Sequence, residues 1–219
     1  MKTHPSANRE SGFSRVELLA VIFVIGVLAL MFVASVNRNG ERRAPRLQCA
    51  NNLKQCALSF RVWQGDHGDK YPMNLSETNG GTAEFTSGPN LWRHFQVMSN
   101  ELSTPKVVIC PADSRLAATN FAFLRNSNVS FFIGLSATET DPQSLLAGDR
   151  NLTNGTPVRN GILELTTNHI ARWTSELHNR CGNIALSDGS VQQMTDAGLQ
   201  TGLSRALVTN RLQMPILGP

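Results

Sequence analysis

Apolar residues run from Leu18 to Val36 (LLAVIFVIGVLALMFVASV) without a charge, and Ser35 is the one polar side chain among these 19 residues. At about 1.5 Å per residue a helix of that length reaches roughly 28 Å, the thickness of a bilayer's hydrocarbon layer. A helix buried in a protein core keeps a polar stripe at helical spacing, and this stretch has none, so the pattern predicts a membrane span. The run is longer than the apolar region of a cleaved secretory signal. Asn37-Arg38-Asn39-Gly40 follow it in place of a small-residue exit, which favours a retained anchor.

Beyond the span the pattern changes. Pro45 removes a backbone donor and predicts a kink or restart. Cys49, Leu53, Cys56, Phe60 and Trp63 then recur at spacings of four, three, four and three, one apolar stripe on an amphipathic helix from Arg46 to Gln64. Gly65, Asp66, Gly68 and Asp69 end it, and Tyr71-Pro72 leads away extended. The acids at Asp66 and Asp69 lack the alternation and distal Glu of a calcium loop, so they are expected in a solvated turn.

In the C-terminal half, Lys106–Cys110 and Val129–Leu135 are rich in β-branched and aromatic residues and predict buried strands, with a turn at Asn126-Ser127-Asn128. Ser144–Ala147 is a short apolar run leading into a loop at Gly148-Asp149-Arg150-Asn151, and Gly155, Pro157 and Gly161 mark another loop. Gly182–Met194 predicts a hairpin, with Asp188-Gly189 as the central pair of a type I′ turn. Ala197–Val208 carries leucines at helical spacing, and the tail after Met214-Pro215 is expected to fray. The whole pattern predicts an α+β fold, a long helix laid on an antiparallel sheet.

Composition narrows the class only a little. Apolar residues make up 41% of the chain and charged ones 16%, which excludes a disordered chain. The net charge of +4 is spread along the sequence, so no nucleic-acid partner is expected. Its tightest group, Arg38, Arg42, Arg43 and Arg46, flanks the span, where lipid headgroups are the natural partners. Lys2, Arg9 and Arg15 precede the span, and charge counting alone would place the C-terminal side in the cytoplasm.

The residues before the span reverse that orientation. Ser11-Gly12-Phe13-Ser14-Arg15-Val16-Glu17-Leu18-Leu19 resembles the processing site of type IV prepilins and type II secretion pseudopilins. The resemblance implies a cytoplasmic leader over 1–12, cut after Gly12 by prepilin peptidase, and N-methylation of Phe13. It also implies a membrane helix over 13–37, an amphipathic continuation over 38–64 and an exported pilin-like domain over 65–219. Glu17, costly at the edge of an apolar helix unless paired, is the family's acid that neutralises a neighbouring subunit's N-terminus and sets register in assembly. Arg15, where an apolar residue is usual, and Ser14, where Thr is common, depart from the pattern. Further along, Cys49-Ala50-Asn51-Asn52-Leu53-Lys54-Gln55, Cys110-Pro111-Ala112-Asp113, Gly148-Asp149-Arg150-Asn151 and His178 followed after nine residues by Asp188-Gly189 are similar to the prepilin-like families that carry an H-x9-D-G motif. The expected function is therefore that of a structural, singly anchored inner-membrane subunit of a secretion-type or pilus-like assembly. Its partners would be the peptidase, other pilin-like subunits or copies of itself, and lipid. The alternative is an anchored ligand-binding module that forms no filament.

Cys49 and Cys56 stand seven residues apart, about 10 Å along a helix, too far for a disulfide to join them. The resemblance suggests Cys49 with Cys110; Cys56 with Cys110 is the other pairing, either leaving Cys181 free, and the alternative to both makes all four small buried apolar residues. His169, His178, Asp149 and Asp188 have the side chains of a metal or acid–base site, but their spacing fits no standard zinc motif. No serine elbow, P-loop or dinucleotide fingerprint occurs. Neither catalytic residues, nor a cofactor, nor a metal is expected.

Overall fold

The computed structural model of the chain describes residues 14–165, 170–205 and 210–217, with side chains at all of these except 34–43 and 204–205. Gly12, Phe13, His169 and the end of the helix predicted at Ala197–Val208 lie outside the described residues. The chain divides into two units between Arg43 and Ala44.

Helix α1 (Arg15–Asp66) starts with a reciprocal cap. The Ser14 N–H donates to Glu17 Oε2 at 2.8 Å, and the Glu17 N–H donates to Ser14 Oγ at 3.3 Å. This S-x-x-E box satisfies donors that a helix start leaves open. Its first 19 residues, Arg15–Val33, have a mean hydropathy of 2.9 and are long and apolar enough to cross a membrane. Phe23 and Phe32 are 72% and 71% exposed, so none of the described residues covers this surface. The restart expected at Pro45 does not occur: the proline lies within one continuous helix.

In the second unit, Cys49, Leu53, Cys56, Phe60 and Trp63 are buried, as the stripe predicts. Phe60 meets Tyr71 and Phe95 edge-on, at 6.0 and 5.9 Å between ring centres. Two short helices, α2 (Trp92–Gln96) and α3 (Ser99–Leu102), follow. The strand expected at Lys106–Cys110 is instead a 3-10 turn over Pro105–Val108. Pro105 fixes the first position, and the Thr104 side chain accepts from the Lys106 N–H, so local capping wins over β-branched composition.

Among the described residues eight strands come next: β1 (Phe131–Gly134), β2 (Leu145–Asp149), β3 (Leu152–Thr153), β4 (Ile162–Leu165), β5 (Arg172–Trp173), β6 (Cys181–Leu186), β7 (Val191–Thr195) and β8 (Asn210–Gln213). Six form a sheet in the order β4-β8-β1-β2-β6-β7, and β3 pairs with β5. Every neighbouring pair is antiparallel. Along β1 the side chains alternate: Phe131 and Ile133 join the α1 stripe in one core, while Phe132 joins Leu163, Trp173, Ile184 and Leu212 in a second. Leu199 of α4 (Asp196–Arg205) closes that second core. The molecule is thus a mixed fold of helix and antiparallel sheet with an apolar N-terminal helix.

Three local expectations are corrected. Gly148 and Asp149, read as loop, complete β2. In the β6–β7 hairpin Gly189 alone of the central pair has positive φ, at 82°. Gly189 N–H donates to Leu186 O and Leu186 N–H to Ser190 O, both at 2.9 Å, which makes a three-residue loop with a bulged glycine rather than a type I′ turn. The tail does not fray at Met214-Pro215. Met214 is buried, Arg115 Nη2 donates to Pro215 O at 2.9 Å, and Asn126 Nδ2 donates to Ile216 O at 2.8 Å.

Candidate functional site

Four side chains from four separate segments meet under α1. Cys49 projects from the helix, and Cys110 follows the 3-10 turn, where Asn52 Nδ2 holds Ile109 O at 2.8 Å. Asp149 ends β2, and His178 stands just ahead of β6. All four residues are buried, and one ligand-type atom from each lies within 4.8 Å of the other three. Cys49 Sγ donates to Asp149 Oδ1 at 3.1 Å, Cys110 Sγ lies 3.3 Å from His178 Nε2, and His178 Nε2 lies 3.4 Å from Asp149 Oδ2.

The surroundings fix these groups in place. The Asn183 N–H and Nδ2 both donate to Asp149 Oδ2, at 2.7 and 2.9 Å. Arg46 Nη2 donates to His178 O at 2.7 Å, and Cys181 Sγ donates to the same oxygen at 2.7 Å. Arg46, grouped by the sequence with lipid-facing arginines, is thus turned onto the protein. Asn179 and Arg180, directly after His178, hold φ of 53° and 62°. Two successive non-glycine residues in the left-handed region cost about 1–3 kcal/mol each and persist where the surroundings over-determine the backbone.

Burial pushes the Asp149 carboxyl up to about 6, partly countered by His178. Burial alone would lower His178, but its hydrogen bond to Cys110 and the Asp149 charge hold it above its ordinary range. The contact with Cys110, together with burial, pushes the Cys49 thiol up, while the contacts with Cys49 and His178 pull the Cys110 thiol down.

The H-x9-D-G residues act as a two-point clamp on α1. His178 meets Cys49 in the cluster and accepts from Arg46 at its carbonyl, while beyond the far end of β6 Arg61 donates to Asp188 O; Tyr71, past the end of α1, donates through Oη to Ser187 O at 3.0 Å. Asp188 Oδ1 accepts from the Ser190 N–H at 2.8 Å, which closes the turn. Asp188 therefore does not join His178 and Asp149. Gly189 passes so near α1 that a Cβ there would sit 3.0 Å from Arg61 Cδ.

The neighbouring motifs are equally connected. Arg150 joins Asp113 through Nε and Nη2, at 2.8 and 2.9 Å, and reaches Glu176 through Nη1 at 2.6 Å. Burial raises the Asp113 carboxyl, but Arg150 outweighs it and holds the group below the usual range. Asn151 Nδ2 donates to Thr174 O and Cys181 O, at 3.0 and 3.2 Å.

All four cysteines are free thiols, and Cys49 and Cys110, paired by the resemblance, meet without a bond between them. Cys56 Sγ donates to Val107 O at 3.4 Å. Sequence reasoning missed Arg46 and Asn183; neither belongs to a local motif that would mark it. It also missed the cap at Ser14, although the S-x-x-E spacing was there to be read. No family model, curated protein or solved structure matches the chain.

Proposed function

We propose that the chain is a pilin-like envelope subunit, processed by prepilin peptidase at Gly12-Phe13 and anchored in the inner membrane with its N-terminus cytoplasmic and its α+β domain exported. The observation that carries this reading is the exposed apolar helix Arg15–Val33, which begins at an acidic cap and leads into a folded domain. In water such a surface is an aggregation hazard; in lipid, or packed against the same helix of other subunits, it is stable. In this reading Glu17 offers its charge to a neighbouring subunit, and the role is structural, within a secretion-type or pilus-like assembly.

Intact mass of the protein from its native membrane tests the reading. Loss of Met1–Gly12 with a methyl group on Phe13 is the expected result. An uncut chain in cells that contain the peptidase leaves a membrane-anchored domain and removes the case for a filament.

A further inference from the structure

The cluster of Cys49, Cys110, Asp149 and His178 calls for an account of its own, because nothing in an anchored structural subunit requires it. Two thiols, a carboxylate and an imidazole are gathered where every one of them loses water, and burying such groups is costly unless a strong partner repays it.

A nucleophile–base relay does not fit the geometry. Such a relay needs the carboxylate on the imidazole nitrogen opposite the thiol, yet Cys110 Sγ and Asp149 Oδ2 both face Nε2 of His178. A shared ligand does fit. Tetrahedral coordination with bonds of about 2.3 Å to sulfur and 2.0–2.2 Å to nitrogen or oxygen gives ligand–ligand edges of roughly 3.3–3.8 Å. The separations of 3.1 Å from Cys49 Sγ to Asp149 Oδ1, 3.4 Å from His178 Nε2 to Asp149 Oδ2 and 3.3 Å from Cys110 Sγ to His178 Nε2 lie near that range, and with all four ligand atoms within 4.8 Å of one another a rotation of the side chains closes them round an ion.

The donor set selects the ion. Thiolates and imidazole disfavour magnesium and calcium and suit zinc-class divalent metals. Four protein donors fill a tetrahedral shell and leave no position for substrate, which is the arrangement of a structural site. The next layer is in place as well. Two Asn183 donors orient Asp149, and the Arg46 guanidinium on His178 O offsets the negative charge of two thiolates and a carboxylate. Binding releases a proton from each thiol that becomes a ligand.

We propose that Cys49, Cys110, Asp149 and His178 form a closed, structural zinc-class site. The ion ties α1 to the loop at Cys110, to the end of β2 and to the entry of β6, four segments with no other covalent or metal link among the described residues. It also explains how Cys49 and Cys110 stay unbridged in an exported domain, since bound thiolates resist oxidation.

The test uses the full chain in detergent, purified without chelator from zinc-replete cells, with metal analysis and thiol titration on the same sample. The expected result is one zinc per chain, with Cys49 and Cys110 unreactive until a chelator is added. Exchange into Co²⁺ should give intense visible bands and a thiolate charge-transfer band. Asp149→Asn and His178→Ala should lose the metal, Cys56→Ala should keep it, and Asn183→Ala should weaken it by about 10- to 100-fold. Should a ligand variant fail to fold, the cobalt spectrum of the unaltered protein decides. A metal-free protein lighter by two hydrogens, with Cys49 joined to Cys110, overturns the site. So does a metal-free protein whose thiols all react, or a cobalt spectrum without thiolate bands.

Discussion

His94 is wholly buried and tied at both ring nitrogens, to Thr82 Oγ1 at 2.6 Å and to Gln213 Oε1 at 2.8 Å. Because Gln213 Nε2 donates to Phe85 O, its Oε1 faces the ring, so Nε2 of His94 carries the hydrogen and Nδ1 accepts from Thr82. Burial lowers the His94 pKa to about 4. The folded pKa is thus below the unfolded value near 6.5, and the unfolded chain takes up the proton first. Stability is full above pH 6.5 and falls as pH drops towards 4, by about 3 kcal/mol from this residue. His94→Gln keeps a donor to Gln213 but cannot titrate there. Denaturant unfolding at pH 7 and pH 4.5 should show a steeper acid loss in the original protein than in the variant; equal losses would remove His94 as the cause.

At the start of α1 the cap that Glu17 makes can be separated from the assembly role proposed for it. Ser14→Ala removes the acceptor for the Glu17 N–H and should cost about 1 kcal/mol, seen as faster amide exchange in the first turn in micelles. Glu17→Gln retains the reciprocal hydrogen bond without the charge. It should leave exchange unchanged while lowering assembly. If it frays the turn as Ser14→Ala does, the acid is a local cap and nothing more. The apolar N-terminal helix was legible as an unbroken apolar run, the α1 stripe because periodic burial leaves a periodic sequence, and the β6–β7 hairpin because Asp188-Gly189 marks a turn after an apolar strand. Lys106–Cys110 was misread because composition was given weight over Thr104-Pro105, whose cap decides the backbone. β8 was missed because Asn210-Arg211-Leu212-Gln213 offers one apolar side chain, and its buried Gln213 is paid for by His94 and Phe85, far away in sequence.

The same distance hid the cluster. Cys49 and Asp149 are 100 residues apart, and Cys110 and His178 are 68 apart, so no local spacing announces that they meet. Only the topology assembles them. The sheet has a similar dependence: β8 pairs with both β1 and β4, and the segment after it anchors Arg115 and Asn126. A chain ended before Asn210 would strip β4 of its sheet partner, expose the edge of β1 and leave His94 Nε2 without Gln213. It should show no cooperative thermal transition and should be cut readily by protease; a transition like that of the full chain would mean that β8 is dispensable.

That interior position of β8 has a kinetic side. Strands β1 to β7 are all made before it, yet β4 has no sheet partner, and one edge of β1 stays open, until residue 213 has left the ribosome. Pairings that span so much sequence form slowly, and the waiting strand edges are open to wrong partners. The domain therefore passes through an interval in which the edges of β1 and β4 need shielding by a chaperone or by fast folding, and a prematurely terminated product never leaves that interval.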